Sequence, residues 1–326
     1  MRKWVLLLVC ASLVQQAFGW GDEGHKAINK AAAAKLPASM PGFLRRAASR
    51  IEYLGPEPDR WRPKEEFALK DAQEPDHFID LERIADVREL PPGRYEFYKL
   101  LYEKRAALIA SQGNADNHAP VTWENTERGT NSQSSPKPDP NPADELLPEK
   151  VGLQPYITME VYERLKIAFR EYRRLKARGQ ETNSVEQNIV FYMGWLGHYV
   201  GDGANPLHTT IKYNGWVGEN PKGYTTDHQI HWMMESQFVA ANLAQMPFSK
   251  GVKAPTKLED PWHDYIAYLH HSNSLVESCY QLERAGGFIG AGTADSREFI
   301  ARRLAAGAQM LLNLWYTAWL ESGEAI

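Results

Sequence analysis

The chain holds little cysteine: two residues, Cys10 and Cys279, among 326. A framework of several disulfides is excluded by that count alone. Excess positive charge is also missing, since 37 Lys and Arg stand against 41 Asp and Glu, for a formal net charge of −4. A broad basic face for duplex DNA is therefore not expected. The apolar run from Trp4 to Val14 is shorter than the roughly 20 residues a membrane-spanning helix needs. No stretch alternates apolar and polar residues over a useful strand length, no segment repeats, and no glycine-rich phosphate loop occurs. What remains is helical periodicity, and the expected fold class is all-α.

What is present begins with a targeting segment. Arg2 and Lys3 precede the apolar run, and Ala17-Phe18-Gly19 supplies small residues at the −3 and −1 positions of a cleavage site. A signal peptide over 1–19 is expected, so the mature chain starts at Trp20 and is exported, periplasmic or secreted. Cys10 leaves with the signal, and Cys279 is then alone. An exported protein without a disulfide needs another source of rigidity, and bound metal is one.

In the mature chain, Trp20-Gly21-Asp22-Glu23-Gly24-His25 opens a helix that runs to about Leu36, with Pro37 and Pro41 beyond it. A second helix is expected over Phe43 to Tyr53. Gly55 to Pro63 reads as an irregular loop with three prolines, and Asp76 to Asp80 as extended chain or a helix start. Tyr95 to Ser111 is the next helix. From 113 to 150 the composition turns to Asn, Ser, Thr, Pro and Glu, which predicts a mobile surface insertion within one domain spanning 20–326. Helices resume from about Thr158 to Arg178, with Tyr162, Leu165, Phe169 and Tyr172 on one face. The last long helix runs from about Ser296 to Leu320, with Ile300, Leu304, Leu311 and Trp315 aligned.

The stretch from Gly194 to His208 carries the chemistry. It belongs to a helix starting near Asn183 or Ser184. Ile189, Met193, Leu196 and Val200 form one apolar stripe. Phe191 and Trp195 begin a second, and its continuation lands on His198 and Asp202. A buried imidazole and a buried carboxylate are costly unless paired or bound to metal. Their i, i+4 spacing stacks them on one helix face. Gly203 and Pro206 end the helix and turn His208 back toward the same point. After a loop over Thr209 to Thr226, with Tyr213, Trp216 and Tyr224, a helix capped by Asp227 repeats the device in His231 and Glu235. With His25 and His77 the candidates exceed the four ligands of one zinc ion, and a thiolate-free set suits catalytic zinc. His228, His263, His270 and His271 read as surface or structural residues, and His118 falls in the insertion.

These motifs resemble the superfamily that joins bacterial zinc-dependent phospholipase C with the single-strand-specific zinc nucleases. The resemblance rests on Trp20-x4-His25, His77-Phe78-Ile79-Asp80, His198-x3-Asp202-x5-His208 and His231-x3-Glu235. It implies a compact helical domain with three Zn2+ ions in a cleft. One ion would take the α-amino group and carbonyl of Trp20 with His25 and Asp202. A second would take Asp59, His77, His198 and a bridging Asp202, and the third His208, His231 and Glu235. It also implies that Asp59 orients or deprotonates the attacking water and that Arg62 stabilises the transition state. Asp71 and Asp76 compete with Asp59 for its place. Glu57-Pro58 stands where the nucleases have Trp-Ala, and Glu235 where they have aspartate.

The spacings from Trp20 to His25 and from His208 to His231 favour the nuclease branch. The expected function is an endonuclease for single-stranded DNA or RNA, without a stable protein partner. A phospholipase C acting on a phospholipid head group is the alternative, and a non-catalytic zinc-binding protein of the same fold is the second.

Overall fold

The computed structural model describes residues 20–111 and 141–323. The expected signal peptide, His118 and most of the expected insertion lie outside these residues. Among the described residues, thirteen α-helices, several 3-10 turns and one π-helix make up the regular structure, and no strand occurs. The chain is all-α.

The first helix, α1, spans Gly21–Ala33. The second expected helix is two, α2 (Gly42–Arg46) and α3 (Ala48–Tyr53), because Ala47 leaves the helical region at ψ 6°. After the short α4 (Phe67–Gln73) comes α5 (Arg94–Ser111). The 141–150 end of the expected insertion forms a 3-10 turn at Pro142–Leu146 and leads into α6 (Pro148–Val151). Ala143 and Pro148 are buried there, so this end is packed structure. The long helices α7 (Gln154–Ala177) and α8 (Asn183–Ala204) follow, then α9 (Ile230–Trp232) and α10 (Val239–Asn242). The chain closes with α11 (Pro261–Asn273), α12 (Val276–Arg284) and α13 (Ala294–Glu321).

The hub is α8, which packs on α7, α13, α3, α1 and α11. Its stripe of Ile189, Met193, Leu196 and Val200 has no exposed surface. The aligned residues of α7 and α13 are buried against it. Phe191 and Trp195 are only half-buried, so the second stripe is core at His198 and Asp202 and surface at its start. Thr293 and Ser296 close a capping box that fixes the start of α13. Cys279 is buried and unpaired. Among the described residues no helix is long and apolar enough to cross a membrane.

Close helix approach brings α1 onto α8. A Cβ at Gly197 would fall 1.8 Å from Asn29 Oδ1, and one at Gly201 3.0 Å from His25 Nδ1. Asn29 in turn donates to the carbonyls of Ile51 and Gly194, which ties α1 to α3 and α8. Glycine at these two positions is what lets His25 reach the face of α8 that carries His198 and Asp202.

Candidate metal centre

Four segments converge on the polar face of α8. From α1 comes His25, its ring stacked on His198 with centroids 4.0 Å apart. Asp59 comes from a 3-10 turn at Pro58–Trp61 inside the loop expected to be irregular. His77 ends a second 3-10 turn, Glu74–His77, after which Phe78 is extended. His208 arrives through a third, Pro206–His208, which the Asn205 side chain caps by accepting from the Leu207 N–H at 3.0 Å.

His231 and Glu235 do not share one regular α-helix. The helix begins at Ile230 with Gln229 rather than Asp227 at its N-cap, and Met233–Phe238 is a π-helix. Such wide turns recur at functional sites. The two residues still meet, with His231 Nε2 2.8 Å from Glu235 Oε2.

Three groups of ligand-type side chains result: His25 with His198 and Asp202; Asp59 with His77 and His198; His208 with His231 and Glu235. All are buried, and within each group the ligand atoms lie within 4.8 Å of one another. Asp202 sits between the first two groups. Its Oδ1 is 3.3 Å from His25 Nε2, and its Oδ2 is 3.1 Å from His77 Nδ1 and 3.3 Å from His198 Nε2. Asp59 Oδ1 is 3.9 Å from His77 Nδ1 and 3.8 Å from His198 Nε2. Asp71 is exposed, and Asp76 faces Arg94 at 3.9 Å, so neither shares this cluster.

The outer nitrogens of three imidazoles are fixed by oxygen acceptors. His198 Nδ1 donates to the Gly55 carbonyl at 2.9 Å, and His208 Nδ1 to the His77 carbonyl at 2.7 Å. His77 Nε2 donates to Gln73 Oε1 at 2.7 Å. In the neutral rings the inner nitrogens then carry bare lone pairs. Yet His198 Nε2 lies 3.0 Å from His77 Nδ1, and His231 Nε2 3.1 Å from His208 Nε2. Four buried imidazole nitrogens and three carboxylates converging at such distances form groups that could hold a cation. Both ring nitrogens of His25, and single carboxylate oxygens of Asp59, Asp202 and Glu235, are buried without a hydrogen-bond partner. Imidazole and carboxylate without thiolate fit zinc.

Electrostatics points the same way. Burial alone would lower the basicity of His208, but Asp202 and Glu235 outweigh it and push the imidazole up to about 9. Burial pulls His77 down to about 4 despite its contact with Asp202. Asp202 is held well below the usual carboxylate range: burial opposes ionisation, and His208 and His198 overcome it. Positive charge is therefore favoured at His208 and disfavoured at His77.

Around it lie supporting side chains with no motif of their own. Gln73 holds His77, and Asn205 donates to Glu235 Oε2 at 2.9 Å. Asn205 sits next to Pro206 in the quoted motif and was within reach of sequence reasoning; Gln73 was not. Arg62 reaches Asp59 Oδ1 at 3.5 Å and Glu74 Oε1 at 3.6 Å. Trp20 is fully buried at the N-cap of α1, and its indole N–H donates to the Gly201 carbonyl, next to Asp202, at 2.6 Å. His228, His263, His270 and His271 are exposed.

No protein-family model matches the chain, and no curated protein matches it. Among solved structures, it is similar to the crystal structure of Clostridium perfringens alpha-toxin from avian strain SWCP, at 14% identity and a TM-score of 0.42. That alignment covers 94% of this chain and 64% of the toxin chain, so the chain spans about two thirds of that structure's length.

Proposed function

We propose that this chain is an exported zinc-dependent phosphodiesterase of the phospholipase C and zinc nuclease superfamily, and that it cleaves single-stranded nucleic acid. In this reading residues 1–19 are a cleaved signal, 20–326 form one catalytic domain, and Trp20, His25, Asp59, His77, His198, Asp202, His208, His231 and Glu235 hold three ions. The observation that carries it is the paired approach of buried imidazoles, His198 to His77 and His231 to His208, among three buried carboxylates.

Bound zinc supplies a Lewis acid for the phosphodiester oxygens and lowers the pKa of water from about 15.7 to about 7. The protein's own groups do the rest. Asp202, a member of the first group that also contacts His77 of the second, bridges the two. Asp59 keeps one oxygen free of protein hydrogen bonds, and that oxygen accepts a proton from the attacking water. Arg62, partly exposed beside Asp59, donates to the charge that builds up on the phosphoryl oxygens. Gln73 and the carbonyls of Gly55 and His77 keep the imidazoles in the tautomer that presents a lone pair inward.

One observation favours phospholipid as the second reading. Phe67 is 73% and Leu69 44% exposed on α4, the helix that ends at Gln73, and exposed apolar side chains so close to His77 suit an amphiphilic substrate. Parallel assays on single-stranded RNA, single-stranded DNA and phosphatidylcholine separate the two. Nucleic-acid hydrolysis without lipid turnover is the expected result, and lipid turnover alone overturns it.

A further inference from the structure

We propose that a basic double groove beside the metal centre binds the backbone of a single-stranded polynucleotide running out of the site. This rests on the nuclease reading and adds to it a second binding surface outside the ligand cluster.

The groove lies on either side of α2. One half, of about 780 Å³, is lined by Arg46, Arg50, Leu54 and Phe191. The other, of about 550 Å³, is lined by Arg45, Arg173 and Lys176. A Cβ at Gly42 would lie 3.6 Å from an Arg46 nitrogen and 3.7 Å from an Arg45 nitrogen, so two guanidinium groups crowd around one glycine. None of the five cations forms an ion pair with a carboxylate among the described residues. Arg45 donates to the Pro37 carbonyl, Arg173 to the Trp319 carbonyl, Lys176 approaches the Tyr172 hydroxyl, and Arg50 lies over the Tyr53 ring. The one carboxylate lining either half is Glu186, which accepts from Thr182 Oγ1. Five cations against one anion is a concentration of like charge in a chain of net charge −4, and a polyanion relieves it.

Contacts connect this surface to the candidate site. Tyr53, about half exposed, carries Arg50 over its ring at 4.9 Å and Arg60 at 4.3 Å. Arg60 belongs to the same 3-10 turn as Asp59. On a second line, Phe191 of the groove packs on Trp195, and Trp195 on Trp61 of that turn, at 5.8 and 5.5 Å between centroids. Leu54, at the groove edge, precedes Gly55, whose carbonyl holds His198. Cations along a groove with half-exposed aromatics between them and the reacting centre are the elements with which proteins track single strands. The branching aromatic path argues for a flexible strand rather than a flat anionic lipid surface.

The test uses the zinc-loaded chain from Trp20 and two probes: a thymidine dinucleotide and a nuclease-resistant phosphorothioate thymidine oligomer of about 20 residues, longer than the roughly 4–16 nucleotides one single-strand groove spans. Wild type is expected to prefer the oligomer, with steep salt dependence. Arg46→Glu with Arg50→Glu should cut that preference about tenfold and flatten the salt slope by about 0.7 per lost phosphate contact. Lys176→Glu, on the far half, should do the same more weakly, which covers misfolding of the double variant. An unchanged preference in both variants overturns the groove. So does charge-dependent binding to phosphatidylcholine–phosphatidylglycerol vesicles without binding to the oligomer. Oligomer binding that the variants weaken supports the groove even where no nucleic acid is cleaved, a result that fails only the nuclease reading.

Discussion

His198 Nε2 and His77 Nδ1 face each other at 3.0 Å, while the opposite nitrogen of each ring is committed to an oxygen acceptor. A proton or a metal ion can relieve the repulsion of two such lone pairs, and Asp202 and Asp59 close the same space with negative charge. The geometry is that of a site assembled around positive charge.

Asp202 contacts members of more than one group, so its removal is expected to have the widest effect. If Asp202 bridges two ions as proposed, Asp202→Ala should leave only the His208, His231 and Glu235 group undisturbed and bring zinc content toward one ion per chain. Hydrolysis should fall by more than the roughly 10–100-fold that loss of a ligand's supporting partner costs. Metal analysis of the purified variant checks it, and an unchanged zinc content would remove Asp202 from the ligand set.

Gln73 acts through His77. Gln73→Ala should lower zinc affinity by about 10–100-fold with little change in the fold, because it frees the ring to rotate and change tautomer. Gln73→Glu, which keeps an acceptor, should restore part of the loss. Zinc titration with a competing chelator reads both.

The α-amino group of Trp20 could serve as the proposed ligand only in a chain that begins there. A chain carrying one additional residue, Gly19, should bind less zinc than one starting at Trp20, while its circular dichroism stays helical. Equal zinc in the two chains would limit Trp20 to its packing role on Gly201.

Much of this was legible in the sequence because helical spacing converts directly into shared faces. The buried stripe of α8, the i, i+4 pair of His198 and Asp202, and the return of His208 after Pro206 all follow from the period of the helix and the position of a proline. Other features had no local signature. The break at Ala47 and the π-helix at Met233–Phe238 leave the apolar spacing on either side unmarked. Gln73 looks like any surface glutamine until the turn at Glu74–His77 folds His77 back onto it. Phe191 and Trp195 carry the periodicity of core residues yet line a path at the surface, because periodicity does not say which of two stripes is covered.

Close approach of α1 to α8 depends on Gly197. Gly197→Ala would drive a methyl into Asn29 and break its bridge between Ile51 and Gly194, at a cost of about 1–3 kcal/mol. Thermal unfolding should show a Tm several degrees lower. An unchanged Tm would mean the two helices can separate without loss.

Asp76 gives the pH dependence its sign. Burial is the largest influence and, against the pull of Arg94, raises its carboxyl from 3.8 to about 7. Because the folded value exceeds the unfolded one, the folded chain holds the proton more tightly, and stability from this group is lost as pH rises from about 4 to 7. Asp76→Asn should therefore raise the Tm at pH 8 relative to wild type and leave it nearly unchanged at pH 4. A variant that is less stable at pH 8 would show that the charged form is the one the fold favours.

On the proposed reading the fold closes around bound zinc. The most direct measurement is the zinc content of the purified chain starting at Trp20, before and after exhaustive chelation, read together with its thermal unfolding. About three zinc ions per chain, removed by chelator with a large fall in Tm that added zinc reverses, is the predicted result. Fewer than two ions, or a Tm indifferent to their removal, would contradict the account.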